Sequence, residues 1–267
     1  MKIGFIGCGN MACAMMEGMV RSSLVHAGEI MATALDLSKR KAFADGLGIR
    51  LTADSCEVAA YADVLFLAVK PHQYASVIEK ISDAIRPQSI VVSIAPGFTL
   101  EQLELKFGKQ VKLVRTMPNT PATVGEGMTA MCSNAHVTPE EIERVAALLK
   151  CFGKAEQVEE HQMDAVVAVS GSSPAYAFMM MEAMADAAVL HGLPRDKAYV
   201  FAAQALLGAA KMVLELGEHP ASLKDKVCSP GGTTIEAVKK LEERGFRSAI
   251  MEAMQACAEK SARMNRH

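Results

Sequence analysis

Lys2-Ile3-Gly4-Phe5-Ile6-Gly7-Cys8-Gly9-Asn10-Met11-Ala12 decides the fold of this chain. It is a short apolar run, a glycine-rich turn and the opening of a segment of small and methionine side chains, Asn10 to Arg21. Gly7 to Ala12 spells G-x-G-x-x-A. Each small residue has a purpose there. Gly7 permits the tight turn, Gly9 lets a pyrophosphate approach the backbone, and Ala12 lets the helix lie close on the sheet. The first helical amides have no intrahelical partner and sit at the positive end of the dipole, which suits an anion. The plain alternative is a strand–helix turn with no ligand. The motif's place, directly after a strand and opening a helix, favours dinucleotide binding.

Working outward, strand and helix signals alternate to about residue 155. Ile30 to Leu35 reads as a second strand, and Ser38 to Asp45 begins a helix. Asp63 to Val69, Ser89 to Ala95 and Val111 to Thr116 are continuous apolar runs of the kind buried in parallel sheets. Helical stretches at Gln73 to Ile85 and Thr99 to Phe107 separate them. Gly127 to Cys132 and Ala155 to Val158 are later strands around a helix from Pro139 to Cys151. This grammar predicts an α/β domain over residues 1–158, a Rossmann-type, doubly wound, mostly parallel sheet.

From Glu159 the pattern changes, with no flexible linker at the junction. Met163 to Val169, Ala175 to Leu190, Lys197 to Leu216, Thr234 to Leu241 and Arg247 to Met264 read as helices. Residues 159–267 are therefore expected to be an all-α domain. Gln204 to Met212 is nearly uncharged around its circumference, so all its faces need cover. About a hundred residues form too thin a layer to supply that cover. A second copy of the chain is the expected cover, and Met179, Met180, Met181 and Met184 are read as core or dimer packing.

Composition narrows the function. The chain has 267 residues, 51% hydrophobic and 22% charged, with net charge -2 and no long basic run. Nucleic acid and an anionic membrane are poor partners for it. The apolar stretch Ala165 to Leu190 is broken by Ser172, Ser173, Pro174, Glu182 and Asp186, and is not expected to span a bilayer. No signal peptide is read at the start. The 7 cysteines are odd in number, irregularly spaced and without C-x-x-C, which predicts free thiols in a reducing, cytoplasmic setting. The histidines show no metal-ligand spacing, and no metal is expected.

A second anion site is read at Ser229-Pro230-Gly231-Gly232-Thr233-Thr234-Ile235-Glu236. Pro230 and the paired glycines make a turn into a helix. Thr233 with Glu236 has capping-box spacing, so Thr233 is the expected N-cap and Thr234 the first helical residue. The amides of that helix start would take a carboxylate or phosphate. An ordinary helix start is the alternative. At the end of the second strand, Asp36 suits a ribose hydroxyl, while Ser38, Lys39 and Arg40 suit a 2′-phosphate. Asp36 and Ser38 as plain helix caps is the other reading. The cluster favours NADPH, with NADH as the alternative. Lys70, after the third apolar strand, faces cofactor or solvent.

Five motifs occur in order: Gly4-Phe5-Ile6-Gly7-Cys8-Gly9-Asn10-Met11, Ala68-Val69-Lys70-Pro71, Met117-Pro118-Asn119-Thr120-Pro121, Gly171-Ser172-Ser173-Pro174-Ala175-Tyr176 and Ser229-Pro230-Gly231-Gly232-Thr233-Thr234. Together they resemble the Δ1-pyrroline-5-carboxylate reductase family of proline biosynthesis, over essentially the whole chain. The resemblance implies an NAD(P)H-dependent oxidoreductase acting on a cyclic imine. It implies a homodimer through the helical domain, assembled into a larger ring such as a decamer, with the substrate pocket at a domain and subunit junction. By position it implies cofactor contacts at Cys8, Asn10, Met11, Ala34, Asp36, Ser55, Val69, Lys70 and Pro96, beside Gly7 and Gly9. It implies substrate contacts at Glu160, Ser229, Thr233 and Thr234, with Gly231 and Gly232 shaping the turn and Thr234 carrying the chemistry. Ala34, Pro96 and Lys226 depart from residues common at those positions in the family.

The residue content agrees with an imine substrate. Ketone or alcohol chemistry needs a general acid or base at the reacting oxygen, often His or Lys. Met163 to Leu190 contains neither. An iminium carbon accepts hydride directly. Two rivals stand beside it: a hydroxyacid or 6-phosphogluconate-type dehydrogenase, which shares the two-domain plan but lacks its expected interdomain Lys here, and a non-catalytic NADP sensor that uses the dimer as a scaffold.

Overall fold

The structure, a computed structural model, describes residues 1–265. Among them one sheet has 8 strands: β1 (Ile3–Ile6), β2 (Ile30–Thr33), β3 (Arg50–Thr52), β4 (Val64–Leu67), β5 (Ile90–Ser93), β6 (Lys112–Met117), β7 (Gly127–Ser133) and β8 (Gly153–Gln157). Their spatial order is β3-β2-β1-β4-β5-β6-β7-β8. Neighbours run parallel except β6 with β7. The sheet's helices are α1 (Asn10–Arg21), α2 (Leu37–Leu47), α3 (Ser55–Tyr61), α4 (Tyr74–Ile81), α5 (Leu100–Phe107), α6 (Pro139–Leu149) and α7 (Met163–Val166).

Alternation along each strand builds two apolar layers. Ile3, Phe5, Val64 and Phe66 lie on one face with Met15, Met16 and Met19 of α1. Ile6, Leu65 and Leu67 lie on the other with Tyr74, Ile78 and Ile81 of α4. Phe5 and Phe66, paired across β1 and β4, stack with centroids 4.7 Å apart. Strands buried on both faces must be apolar at every position, which is why these runs are legible in the sequence.

The chain steps outward from β1 through β2 to β3, then returns to lay β4 on the other side of β1. That reversal opens a crevice outside the carboxyl ends of β1 and β4, where ligands of open α/β sheets bind. The sequence pattern does not announce β3 or α3. β3 is a short edge strand with exposed Arg50 and half-buried Leu51 and Thr52, so it lacks the apolar run of an interior strand.

The expected junction at Val158 is not where packing breaks. After β8 a turn at Glu160–Gln162, then α7 and a π-helical turn at Val167–Gly171, stay with the sheet, and Met163 is part of its core. The compact units are Met1–Gly171 with the segment from Cys257, and Ser172–Ala256. The C-terminal segment is tied in by polar contacts: Ser261 Oγ and Asn265 Nδ2 both donate to Asp164 Oδ1, at 2.6 and 2.7 Å.

The second unit is helical: α8 (Ser173–Leu190), α9 (Arg195–Leu216), α10 (Pro220–Val227), α11 (Thr233–Glu243) and α12 (Phe246–Met264), whose end belongs to the first unit. α10, absent from the helices expected above, begins at Pro220; proline is well suited to the first helical position. α8 packs along α9 through a short turn at Gly192. Among the described residues, the buried apolar ones of the second unit are Ala185, Ala198, Ala202 and Leu223. Phe178, Met179, Val200, Phe201, Leu214 and Met251 are all at least 60% exposed in the single chain. The methionine stripe is thus no core of this chain. Among the described residues, α9 is the one helix long and apolar enough to cross a membrane by length and composition.

Candidate active site

The crevice is lined first by the turn that follows β1. Gly7 has φ +106°, and a Cβ there would lie 2.6 Å from the Ala68 carbonyl oxygen, so only glycine lets the β1 and β4 loops meet. Gly9 caps α1 in an extended conformation, and a Cβ on it would meet nothing within 4 Å. No side chain caps α1, and its first turn holds no acidic residue. The α1 amides, beside the open space at Gly9, fit a pyrophosphate. Gly7 N donates to Thr33 Oγ1 at 2.9 Å, which fixes the turn to the end of β2. Thr33 was not singled out by the motif; its signal was a lone hydroxyl closing an apolar strand.

Two thiols stand within this turn. The Sγ atoms of Cys8 and Cys13 are 3.7 Å apart, and Arg40 Nη1 lies 3.8 Å from Cys13 Sγ. The hydrogen bond shared with Cys8 lowers the Cys13 thiol, against the opposing pull of burial and with help from Arg40. The same bond, with burial, pushes Cys8 far above the ordinary thiol range. Arg40 is thereby placed from α2 against the start of α1.

At the end of β2, Ala34 is half-buried and Asp36 is exposed. Asp36 is the N-cap of α2: its Oδ1 accepts from Ser38 Oγ at 2.6 Å and from the amides of Ser38 and Lys39 at 3.1 and 3.3 Å. Lys39 Nζ pairs with its other oxygen at 3.2 Å. These bonds, led by the Ser38 hydroxyl, hold Asp36 below the usual carboxylate range. The capping reading of Asp36 is the arrangement seen. Leu35 beside it is 98% exposed, an apolar surface at the β2 end that the sequence reading passed over. Ser55 opens α3 after Asp54, whose carboxylate caps that helix.

Val69 and exposed Lys70 follow β4, and exposed Pro96 follows β5. The Lys70 amide donates to Gln73 Oε1 at 3.2 Å. Beyond Pro96 a small cleft is lined by Pro96, Arg115, Thr116, Met163 and Ser261, among others. Arg115 is buried and bonds Glu160 Oε1 at 2.9 Å, and the same oxygen accepts from Leu100 N at 2.7 Å. Glu160 is thus held by the sheet rather than free in solvent. Asn119, in the Met117–Pro121 motif, clamps two segments: its Nδ2 donates to Ser170 O, and its Oδ1 accepts from Met128 N. Nothing in the linear motif says that its asparagine joins β7 to the π-helical turn. Among the described residues no group of three His, Cys, Asp or Glu is placed to hold a metal ion.

In the helical unit, the turn into α11 differs from the expected capping box. Gly232, not Thr233, is the N-cap, with φ −82° and ψ 171° and no side-chain cap. Gly232 N donates to Ser229 O at 3.0 Å, and Gly231 has φ +68°. Proline then a positive-φ glycine in the middle of four residues is the pattern of a type II turn. The turn consumes the residues up to Gly232 and moves Thr233 and Thr234 to the first and second helical positions. Helical backbone at Thr233 removes the extended geometry a capping side chain needs. Ser229, Gly231 and Thr233 are exposed, and Gly232 and Thr234 half-buried. Among the described residues no side-chain cap is seen at this helix start.

Comparison with known proteins agrees with both halves. Residues 2–97 match the family model described as NADP oxidoreductase, coenzyme F420-dependent, and residues 160–264 match pyrroline-5-carboxylate reductase dimerisation. The chain is 53% identical over 265 residues to pyrroline-5-carboxylate reductase of Escherichia coli (strain K12), covering 99% of this chain and 98% of that protein. The solved structure of a pyrroline-5-carboxylate reductase from Coxiella burnetii superposes with TM-score 0.94 at 35% identity, covering 98% of each chain. That of Plasmodium falciparum pyrroline carboxylate reductase with NADP bound gives 0.89 at 30%, covering 99% and 98%. Full-length identity at this level, with a dinucleotide crevice and a dimerisation unit in their expected order, shows that the chain belongs to the pyrroline-5-carboxylate reductase family.

Proposed function

We propose that this chain reduces the cyclic imine 1-pyrroline-5-carboxylate to L-proline with NAD(P)H, the last step of proline biosynthesis. The observation that carries the reading is the α11 start: a glycine-capped helix with no side-chain cap among the described residues, and two threonines in its first turn. That surface suits a carboxylate next to a nitrogen. In this reading the amides of α11 and the Ser229 hydroxyl hold the substrate carboxylate, and Gly231 and Gly232 shape the turn. Thr233 adds a contact, and the Thr234 hydroxyl hydrogen-bonds the ring nitrogen. Glu160 is a further proposed substrate contact.

Gly7, Cys8, Gly9, Asn10 and Met11 would hold the cofactor pyrophosphate. Ala34, Asp36 and Ser55 would hold its adenosine side, and Val69, Lys70 and Pro96 its nicotinamide side. When bound, the reduced dinucleotide supplies hydride to the imine carbon, whose ring nitrogen takes the electron pair of the C=N bond and becomes the secondary amine. The protein's own share is to bind and orient, because a ring nitrogen that enters protonated needs no protein acid. Lys39 and Arg40 near the β2 end support NADPH over NADH.

The working form is a homodimer whose helical units cover each other's exposed apolar helices, assembled into a larger ring such as a decamer. Its place is the cytoplasm, with no nucleic-acid or membrane partner. The exposed Val200, Phe201 and Leu214 of α9 support a protein cover, because contiguous apolar surface of this kind marks an interaction face. The functional test is loss of NADPH absorbance on adding pyrroline-5-carboxylate, run beside hydroxyacid and alcohol substrates in both directions. Turnover confined to the hydroxyacids would reject the imine reading, and no turnover at all would favour a sensor.

A further inference from the structure

Tyr74 opens α4 and is completely buried. Its hydroxyl donates to Leu67 O at 2.8 Å. It accepts from Ala95 N at 3.2 Å and meets Ser93 Oγ at 3.1 Å. Ser93 O in turn accepts from Thr116 Oγ1 at 2.9 Å. Leu67 ends β4 and Ser93 ends β5, so one phenol joins two strand ends, and the network reaches a third. The ring is fixed by stacking on Phe98, with centroids 4.9 Å apart.

This bridge stands at the end of the β4–β5 ladder, where the bond from Ile94 N to Leu67 O is long at 3.5 Å. The hydroxyl shares the Leu67 carbonyl with that bond and also takes the Ala95 amide, so it ties the two strand ends together. Burial pushes Tyr74 up to about 12, which leaves it a neutral group able to donate and accept at once. Beyond the bridge the two strands continue as Ala68-Val69-Lys70 and Ile94-Ala95-Pro96.

We infer that Tyr74 is a positioning residue, whose hydroxyl sets the spacing of the two loops on which the nicotinamide half of the cofactor rests. The inference depends on the assignment of Val69, Lys70 and Pro96 to the cofactor made above. Its hydroxyl acts through the backbone of Leu67 and Ala95.

The test compares Tyr74→Phe, Ser93→Ala and Lys70→Ala in the full chain. Each is measured for NADPH affinity, steady-state rates and inhibition by 2′,5′-ADP, which carries only the adenosine half. Tyr74→Phe keeps the stacked ring and loses the bridge. It is expected to lower kcat/KM for NADPH roughly tenfold, since misplacement by a fraction of an ångström is costly in rate, while 2′,5′-ADP affinity is unchanged. Ser93→Ala should move the same quantities in the same direction by less. A folded Tyr74→Phe with parental kcat/KM overturns the inference. So does one in which 2′,5′-ADP affinity falls in parallel, since that is general loosening. If Tyr74→Phe does not fold, a Ser93→Ala enzyme with parental values overturns it instead. Should Lys70→Ala leave both NADPH affinity and rate untouched, the loop assignment falls and takes the inference with it; a Lys70→Ala defect beside a parental Tyr74→Phe rejects the inference alone.

Discussion

A methyl group on Gly232 would lie 2.3 Å from Ser229 Oγ, closer than any side chain tolerates. The turn into α11 therefore accepts only glycine at its cap while Ser229 keeps its place. Thr233 becomes the first helical residue and gives up the capping role its spacing suggests.

From this geometry Thr233→Ala and Thr234→Ala should both fold normally, with changes within about 0.5 kcal/mol, as for surface positions without a special role. Their kinetics should differ from the parent. Losing the Thr234 bond to a charged nitrogen should remove ~1.5–3 kcal/mol of stabilisation, or roughly ten- to a hundredfold in kcat/KM. Thr233→Ala should chiefly raise KM. Thermal melts and steady-state rates on pyrroline-5-carboxylate check both; a Thr234→Ala enzyme with parental kcat/KM would leave this turn as structure only.

Gly9→Val separates cofactor binding from folding. A side chain at Gly9 meets no protein atom, and its φ of −79° is open to any residue. Stability should fall by about 1 kcal/mol or less, the scale of a changed N-cap. NADPH affinity should fall by ~1–3 kcal/mol, the usual scale of crowding a filled space. Fluorescence titration with circular dichroism as control gives the answer. Parental affinity in a folded variant would take this turn out of the cofactor site.

Cofactor choice rests on Lys39 and Arg40. Lys39→Ala with Arg40→Ala should cut the NADPH-to-NADH ratio of kcat/KM about tenfold, equivalent to ~1.4 kcal/mol. A parent that uses NADH better, or a ratio the double change leaves alone, contradicts the preference.

Self-association should survive dilution. α9 presents Val200, Phe201, Leu207 and Leu214 to solvent in the single chain. Sedimentation velocity at low concentration should give a dimer or a multiple of it. An active, well-folded monomer is incompatible with that arrangement.

Cys13 should titrate early. Its thiol, though buried, is lowered by the Cys8 hydrogen bond, so its thiolate forms at lower pH than that of Cys8. Slow alkylation by a small haloacetamide, mapped by mass spectrometry, should set in at lower pH at Cys13 than at Cys8. NADPH should slow both. A Cys13 rate that stays flat until about pH 8.5, the ordinary thiol value, would reject the pairing.

Demands on local backbone and on burial are legible in the linear chain. Gly7 and Gly9 had to be small where strand meets helix, and interior strands such as β4 had to be apolar at every position. The uncharged circumference of α9 announced a helix in need of cover. Edge strand β3 and helix α3 carry no such demand and stayed hidden. Meetings between polar groups remote in sequence emerge with the fold alone. Thr33 with Gly7, Arg115 with Glu160, Asn119 with Ser170, and Tyr74 with Ala95 each depend on how elements pack. The cap of α11 belongs with them, because Thr233 and Gly232 are equally good N-caps by type, and the choice fell to a turn that only the folded backbone fixes. A hydrogen bond is short-ranged and directional, so its partners can be named only once the backbone is placed.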